Sequence, residues 1–250
     1  MDGVLWLGDS PLAGLKEFFA RLEDARVAWV LATNNSSRTP EQYAAKLAGY
    51  GIAVDPGRIL TSARVAAAYL AGQAPAGTPV YLIGGEGLRL ALAEHGFVFS
   101  ETEARFVVVG WDRELTWKKL ARASLLIHSG ARFIGTNPDL SYPTAEGPVP
   151  GCGAQLKAIE AATGTPPLVL GKPGGEMYRQ ALELLGTAPA ETAMLGDRID
   201  TDLAGAEKMG MKTILVLSGT TPPGSPAIAD FSPDLICSDI GELARLWGGS

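Results

Sequence analysis

Cysteine and histidine are nearly absent, with two of each in 250 residues. Cys152 and Cys237 are too few for a disulfide framework or a zinc site. His95 and His128 stand alone in segments of helical periodicity, where an isolated histidine reads as structural or solvated. An excess of positive charge is missing too: the net charge is −6. With no block of like charges, this excludes a basic nucleic-acid-binding face. No apolar stretch approaches the roughly 20 residues needed to cross a bilayer. The first residues lack the basic-then-apolar pattern of a secretory leader, so the expectation is a cytoplasmic protein with no membrane partner. What is present is ordinary: 46% hydrophobic and 19% charged residues, enough for a sizeable core in one large domain or two modest ones.

Short apolar or β-branched runs alternate with helical patterns almost throughout. Residues 27–32, 80–83, 106–109, 167–170, 192–195 and 213–217 read as buried strands. Leu12 to Leu22, Glu41 to Leu47, Leu88 to Glu94 and Met177 to Leu185 carry apolar residues at three- and four-residue spacing, the helical signature. Uninterrupted apolar strands alternating with helices predict an α/β fold with parallel sheets covered on both faces. The chemistry-bearing motifs fall in residues 2–36 and 171–202. Loop-like edges at Pro75-Ala76-Gly77-Thr78-Pro79 and Gly164-Thr165-Pro166-Pro167 mark an inserted segment between them. The predicted division is a core of residues 1–76 and 167–250, with residues 77–166 as a second domain.

Four short motifs carry the functional expectation: Asp2-Gly3-Val4-Leu5-Trp6, Thr33-Asn34-Asn35-Ser36, Gly171-Lys172-Pro173, and Gly196-Asp197-Arg198-Ile199-Asp200-Thr201-Asp202. The last three close predicted strands, and open α/β sheets bind ligands at the carboxyl ends of their strands. Carboxylates suit Mg²⁺, which takes one or two of them together with substrate phosphate. Lysine acts as a point charge on phosphate, and hydroxyl and backbone donors favour an anion. Each motif alone is weak, since most aspartates in such places cap helices. Together they fit phosphoryl transfer, where positioning and charge neutralisation do most of the work.

In this order the motifs resemble those of the haloacid-dehalogenase superfamily, in its NagD-like, p-nitrophenyl-phosphatase-like branch, and the resemblance spans essentially the whole chain. It implies a Rossmann-like core with a parallel sheet and an inserted α/β cap of the C2 type. Gly84-Gly85-Glu86-Gly87, Val109-Gly110-Trp111-Asp112 and Thr136-Asn137-Pro138-Asp139 resemble cap segments. The implied activity is Mg²⁺-dependent hydrolysis of small phosphomonoesters, such as sugar phosphates, nucleotides or phosphoglycolate, through an aspartyl-phosphate. Asp2 would be the general acid/base, its backbone carbonyl reaching the metal. Thr33, Asn34 and Asn35 would hold the phosphoryl group, and Lys172 would neutralise it. Asp197 would ligate Mg²⁺, with Asp202 supporting the metal directly or through water. Asn137 and Asp139 would face substrate from a cap loop. The implied partner is a small phosphorylated metabolite, and relatives of this kind include cap-mediated homodimers.

One departure stands out. Counting back two positions from Asp2, the second aspartate of the family's Asp-x-Asp signature, lands one residue before Met1. The nucleophile and its central strand are therefore not among these residues. The expectation is a shortened chain with little or no phosphatase activity of its own; the alternative is a relative that binds phosphorylated ligands without turning them over. Elsewhere Cys152 reads as a small buried residue opening a helix, Trp111 and Trp117 as packing residues with the lining of a cap–core cleft as the alternative, and Asp234 and Asp239 as a turn and a helix start.

Overall fold

The computed structural model describes residues 1–144 and 146–247. The chain divides into two compact units. One comprises residues 1–32, 44–59 and 172–250, the other residues 33–43 and 60–171. Among the described residues, no helix is long and apolar enough to cross a membrane.

The second unit is built on a five-stranded parallel sheet. Its order is Leu168–Val169, Arg132–Gly135, Phe106–Val109, Pro79–Ile83, Val98–Phe99. The central strand is the run Phe-Val-Val-Val, and all four residues are buried. That is what a parallel strand covered on both faces requires. The helices Trp117–His128 and Cys152–Thr163 contribute Leu126, Ile127, Leu156 and Ile159 to one core with Ile83, Val107 and Val109. The first of these helices starts under a Thr116 hydroxyl that accepts the Lys119 N–H, capping an otherwise unpaired donor. Cys152 opens the other helix as a buried residue, and burial pushes its thiol up to about 11.

The first unit carries a three-stranded parallel sheet, Ala193–Gly196, Lys212–Val216 and Leu235–Cys237. The helix Gly175–Leu185 packs Tyr178 and Leu182 against Ala206 and Met211. The helices Leu15–Asp24 and Ile240–Trp247 lie together, brought close where Gly14 meets the Gly241 backbone. A Cβ on Gly14 would collide with Gly241, and its φ of +82° is one that only glycine adopts readily. The strands Leu31–Thr33 and Ile59–Thr61 form a separate two-stranded sheet.

Most predicted elements are present with shifted ends, but three expectations change. Of the run 27–32, only Leu31 and Ala32 join a strand, because hydrogen-bonded pairing begins there. Trp29 instead meets Phe19 edge-on at 5.1 Å, with the Arg58 guanidinium 4.7 Å from its ring centroid. Leu168–Val169 pairs with Ile134 and Gly135. It is thus an edge strand of the sheet in the second unit. Trp117 is no packing residue: it is 82% exposed at the first turn of its helix. His95 lies just past the helix Glu86–Glu94, at its C-cap.

Asp234, just before the edge strand Leu235–Cys237, ties that strand to the central strand Lys212–Val216 of the first unit. It accepts hydrogen bonds from Lys212 Nζ at 3.0 Å and from the Thr213 N–H and hydroxyl at 2.9 and 3.0 Å. These donors, Lys212 foremost, push its carboxyl down to about 2 from an ordinary 3.8. A depressed value means that the contribution to stability is present above the ordinary value and is lost as pH falls through the folded one. Asp234→Asn is therefore expected to lower the urea midpoint at pH 7, with the gap to the parent closing between about pH 4 and 2. A gap unchanged on acidification would contradict this.

Candidate active site

The first unit gathers four of the residues singled out by sequence. Asp197 follows directly on the strand Ala193–Gly196. Its Oδ2 accepts the Thr220 N–H at 2.7 Å, and its backbone oxygen accepts the Thr221 N–H at 3.1 Å. A Cβ on Gly3 would lie 2.5 Å from that Oδ2, and one on Gly219 would be closer still. Two glycines therefore form a cradle for the carboxylate and bring it against Gly3, the neighbour of Asp2. The Ser218 hydroxyl fastens this arrangement by donating to the Gly3 carbonyl at 2.7 Å.

Asp202 lies in a single wide helical turn, Ile199–Leu203, a form that recurs at functional sites. The Tyr178 hydroxyl donates to the Thr201 and Asp202 carbonyls at 2.7 and 2.8 Å and pins that turn. Burial pushes the Tyr178 pKa up, so the hydroxyl remains a donor. The Asp202 Oδ1 then meets Lys172 Nζ at 2.7 Å, with both residues buried. Lys172 Nζ also reaches the Ala32 carbonyl at 3.4 Å. Burial by itself would raise the Asp202 carboxyl, but the Lys172 ammonium beside it outweighs this and holds it below the usual carboxylate range. Asp2 is exposed, and its Oδ1 accepts the Trp6 indole N–H at 2.9 Å.

The other predicted residues come together within the second unit. Thr33 is buried at the end of its strand, and its hydroxyl accepts the Asn35 N–H at 3.2 Å. The Asn35 Oδ1 accepts the Ser37 N–H and hydroxyl at 2.8 and 2.7 Å, closing a tight turn. The Asn34 carbonyl accepts from Ser62 at 2.6 Å and from the Asn137 amide at 2.7 Å, while its side chain donates to Asp139 at 3.1 Å. Asn34, Asn137 and Asp139 thus form one hydrogen-bonded group, although more than 100 residues separate Asn34 from the other two.

Among the described residues, no three His, Cys, Asp or Glu side chains converge as a metal cage. The Asp2 carboxylate is turned to Trp6 and the Asp202 carboxylate to Lys172, so Asp197 is the carboxylate set against the Asp2-Gly3 backbone. One or two carboxylates with a backbone carbonyl remain an adequate donor set for Mg²⁺, which keeps several waters and substrate oxygens. Sequence reasoning gave Trp6, the last residue of the first motif, no role of its own, and it missed Tyr178 and the Ser218-Gly219-Thr220 loop. The loop follows the carboxyl end of the strand Lys212–Val216, so the rule that picked out the other motifs could have found it. Tyr178 carries no local signal.

Buried Lys–Asp and glycine-cradled aspartate at strand ends of a parallel α/β unit are the equipment of a phosphoric monoester hydrolase. The chain belongs to the haloacid dehalogenase-like hydrolases, in the NagD-like, p-nitrophenyl-phosphatase-like branch: residues 1–98 match the haloacid dehalogenase-like hydrolase family and residues 169–243 match a HAD-hydrolase-like family. It is 40% identical over 221 residues to the 5'-nucleotidase YutF of Bacillus subtilis (strain 168), covering 88% of this chain and 86% of that one. It is 40% identical over 243 residues to the acid sugar phosphatase of Staphylococcus aureus (strain USA300), covering 97% and 93%. Among solved structures it is similar to the p-nitrophenyl phosphatase from Archaeoglobus fulgidus, at 30% identity and a TM-score of 0.92, covering 98% and 96%. NagD from E. coli K-12 follows at 32% identity and a TM-score of 0.88, covering 97% and 95%.

Removing one partner of a buried ion pair leaves the other charge uncompensated. Lys172→Met is therefore expected to destabilise the fold by about 3–5 kcal/mol at pH 7 in metal-free urea unfolding. A loss below about 1 kcal/mol, the scale of an exposed pair, would show that the pair is solvated.

Proposed function

We propose that the chain is the catalytic body of a cytoplasmic Mg²⁺-dependent phosphatase that hydrolyses small phosphomonoesters through an aspartyl-phosphate. The observation that carries the reading is the buried Lys172–Asp202 pair, held at 2.7 Å on the wide turn that follows Asp197. A lysine so deeply placed and so firmly oriented is suited to neutralise a phosphate and the carboxylate that attacks it. In this reading Thr33, Asn34 and Asn35 bind the phosphoryl oxygens. Asp2 gives its proton to the leaving-group oxygen and then takes one from the water that attacks the phospho-enzyme. Asn137 and Asp139 belong to the cap, residues 77–166, and contact the organic part of the substrate. Asp197, supported by Asp202 and the Asp2 carbonyl, would hold Mg²⁺, whose charge offsets that of the phosphoryl oxygens.

The nucleophile of this scheme is the position two before Asp2, outside the 250 residues. The relatives named for sugar phosphates, 5'-nucleotides and p-nitrophenyl phosphate support a small phosphomonoester as substrate. The test compares these 250 residues with a chain extended to Asp-Met-Asp-Gly behind an apolar strand, using sugar phosphates, nucleotides and 4-nitrophenyl phosphate with Mg²⁺. The extended chain should turn over at least one of them, and the 250-residue chain should be slower by roughly 10⁴-fold or more, the scale of losing a catalytic nucleophile. If the extended chain hydrolyses none of them, the phosphatase reading fails and a ligand-binding relative takes its place.

A further inference from the structure

Trp6 sits where its conformation is set by its surroundings. It is 1% exposed, with the Lys46 ammonium 4.7 Å from the ring centroid and the Tyr50 ring at 6.2 Å, tilted by 51°. Those neighbours are tied down in turn. Lys46 donates to the Gly8 carbonyl at 2.6 Å and pairs with Asp9, and the Tyr50 hydroxyl donates to the Asp9 carbonyl at 2.8 Å. The backbone closes a tight loop in which Gly3 N–H donates to the Trp6 carbonyl at 2.8 Å, and Asp2 and Trp6 bridge each other. Position 6 is thereby returned to the side of position 2, and the indole N–H meets Asp2 Oδ1 at 2.9 Å.

A buried indole needs an acceptor for its N–H, and any carbonyl would serve. Two features make this bond more than that. The donor is buried and packed on Lys46 and Tyr50 while the acceptor is exposed, so the tryptophan orders the aspartate and not the reverse. The indole N–H is also a donor only. The bond occupies one lone pair of Oδ1 and draws charge to that oxygen, which favours Oδ2 as the oxygen that gives and takes a proton.

We propose that Trp6 is a positioning residue for proton transfer at Asp2, holding Oδ1 so that Oδ2 faces the leaving-group oxygen. This rests on the assignment of Asp2 as general acid/base. The proton moves from Oδ2 to the departing alkoxide, and Asp2 is left ionised with Oδ1 still bonded to the indole. The requirement is greatest for leaving groups that depart badly as anions.

The experiment has two arms. On the 250-residue chain, ¹⁵N-tryptophan spectra report the indole N–H signals without any need for turnover. One slowly exchanging signal should shift in Asp2→Ala; if none responds, the hydrogen bond is absent and the proposal fails. On the extended chain, Trp6→Phe keeps a ring beneath Lys46 but removes the donor. Its kcat for an alkyl phosphate should fall on the order of 100-fold with KM little changed, the cost of a misplaced catalytic group. For 4-nitrophenyl phosphate, whose leaving group needs little protonation, the fall should stay within about threefold. Equal losses for both substrates would assign Trp6 a structural role alone. An extended parent with no activity would instead sink the phosphatase reading, so the two failures are told apart.

Discussion

The contact between Lys172 and Asp202 is the constraint around which the first unit is organised. Both charges are buried, and in a low-dielectric interior neither could remain ionised alone. Their geometry must therefore be held by the chain around them. Tyr178 fixes the turn that carries Asp202, the Arg198 N–H donates to Asp202 at 3.3 Å, and the Ala32 carbonyl takes part of the lysine. A buried ion pair is weak evidence for stability, because its desolvation cost can exceed its attraction. Its persistence here is better understood as a demand of chemistry, in a family whose members handle phosphate.

Glycine does the complementary work. Asp197 reaches the backbone at Gly3 because neither Gly3 nor Gly219 has a side chain to hold it off. The Lys–Asp pair is defined by charge and the Asp197 cradle by absent atoms. Both lie at the ends of parallel strands, where the backbone turns out of the sheet and loops can carry polar groups without disrupting a ladder. In the second unit the polar cluster of Asn34, Asn137 and Asp139 follows the same logic, with Thr33 ending a strand and Thr136-Asn137 following Gly135.

How much of this was legible beforehand varies with the residue. Phe106–Val109 was legible as a buried strand, because four apolar residues in a row suit a strand covered on both faces, but its central place in the sheet was not. Asp197 and Lys172 were visible as polar residues closing apolar runs. Residues 27–30 looked equally strand-like and are not, since apolarity marks burial and says nothing about whether a neighbour offers hydrogen bonds. Trp117 misled in the same way: an aromatic beside a helix start reads as core, yet it faces solvent. The edge strand Leu168–Val169 could not be allotted to a sheet from the run 167–170 alone.

The amino-acid sequence by itself determined the α/β class, the order of the motifs and the residue types available for phosphate chemistry, because these depend on local periodicity and short-range spacing. Tertiary structure alone decided which acid pairs with Lys172, which carboxylate lies against Gly3, and that an indole donor six residues into the chain bonds Asp2. Those pairings depend on distances between segments far apart in sequence, or on the direction a side chain takes within a closed loop. No one-dimensional pattern encodes such distances, since the same spacing is compatible with many directions until the surrounding residues exclude all but one.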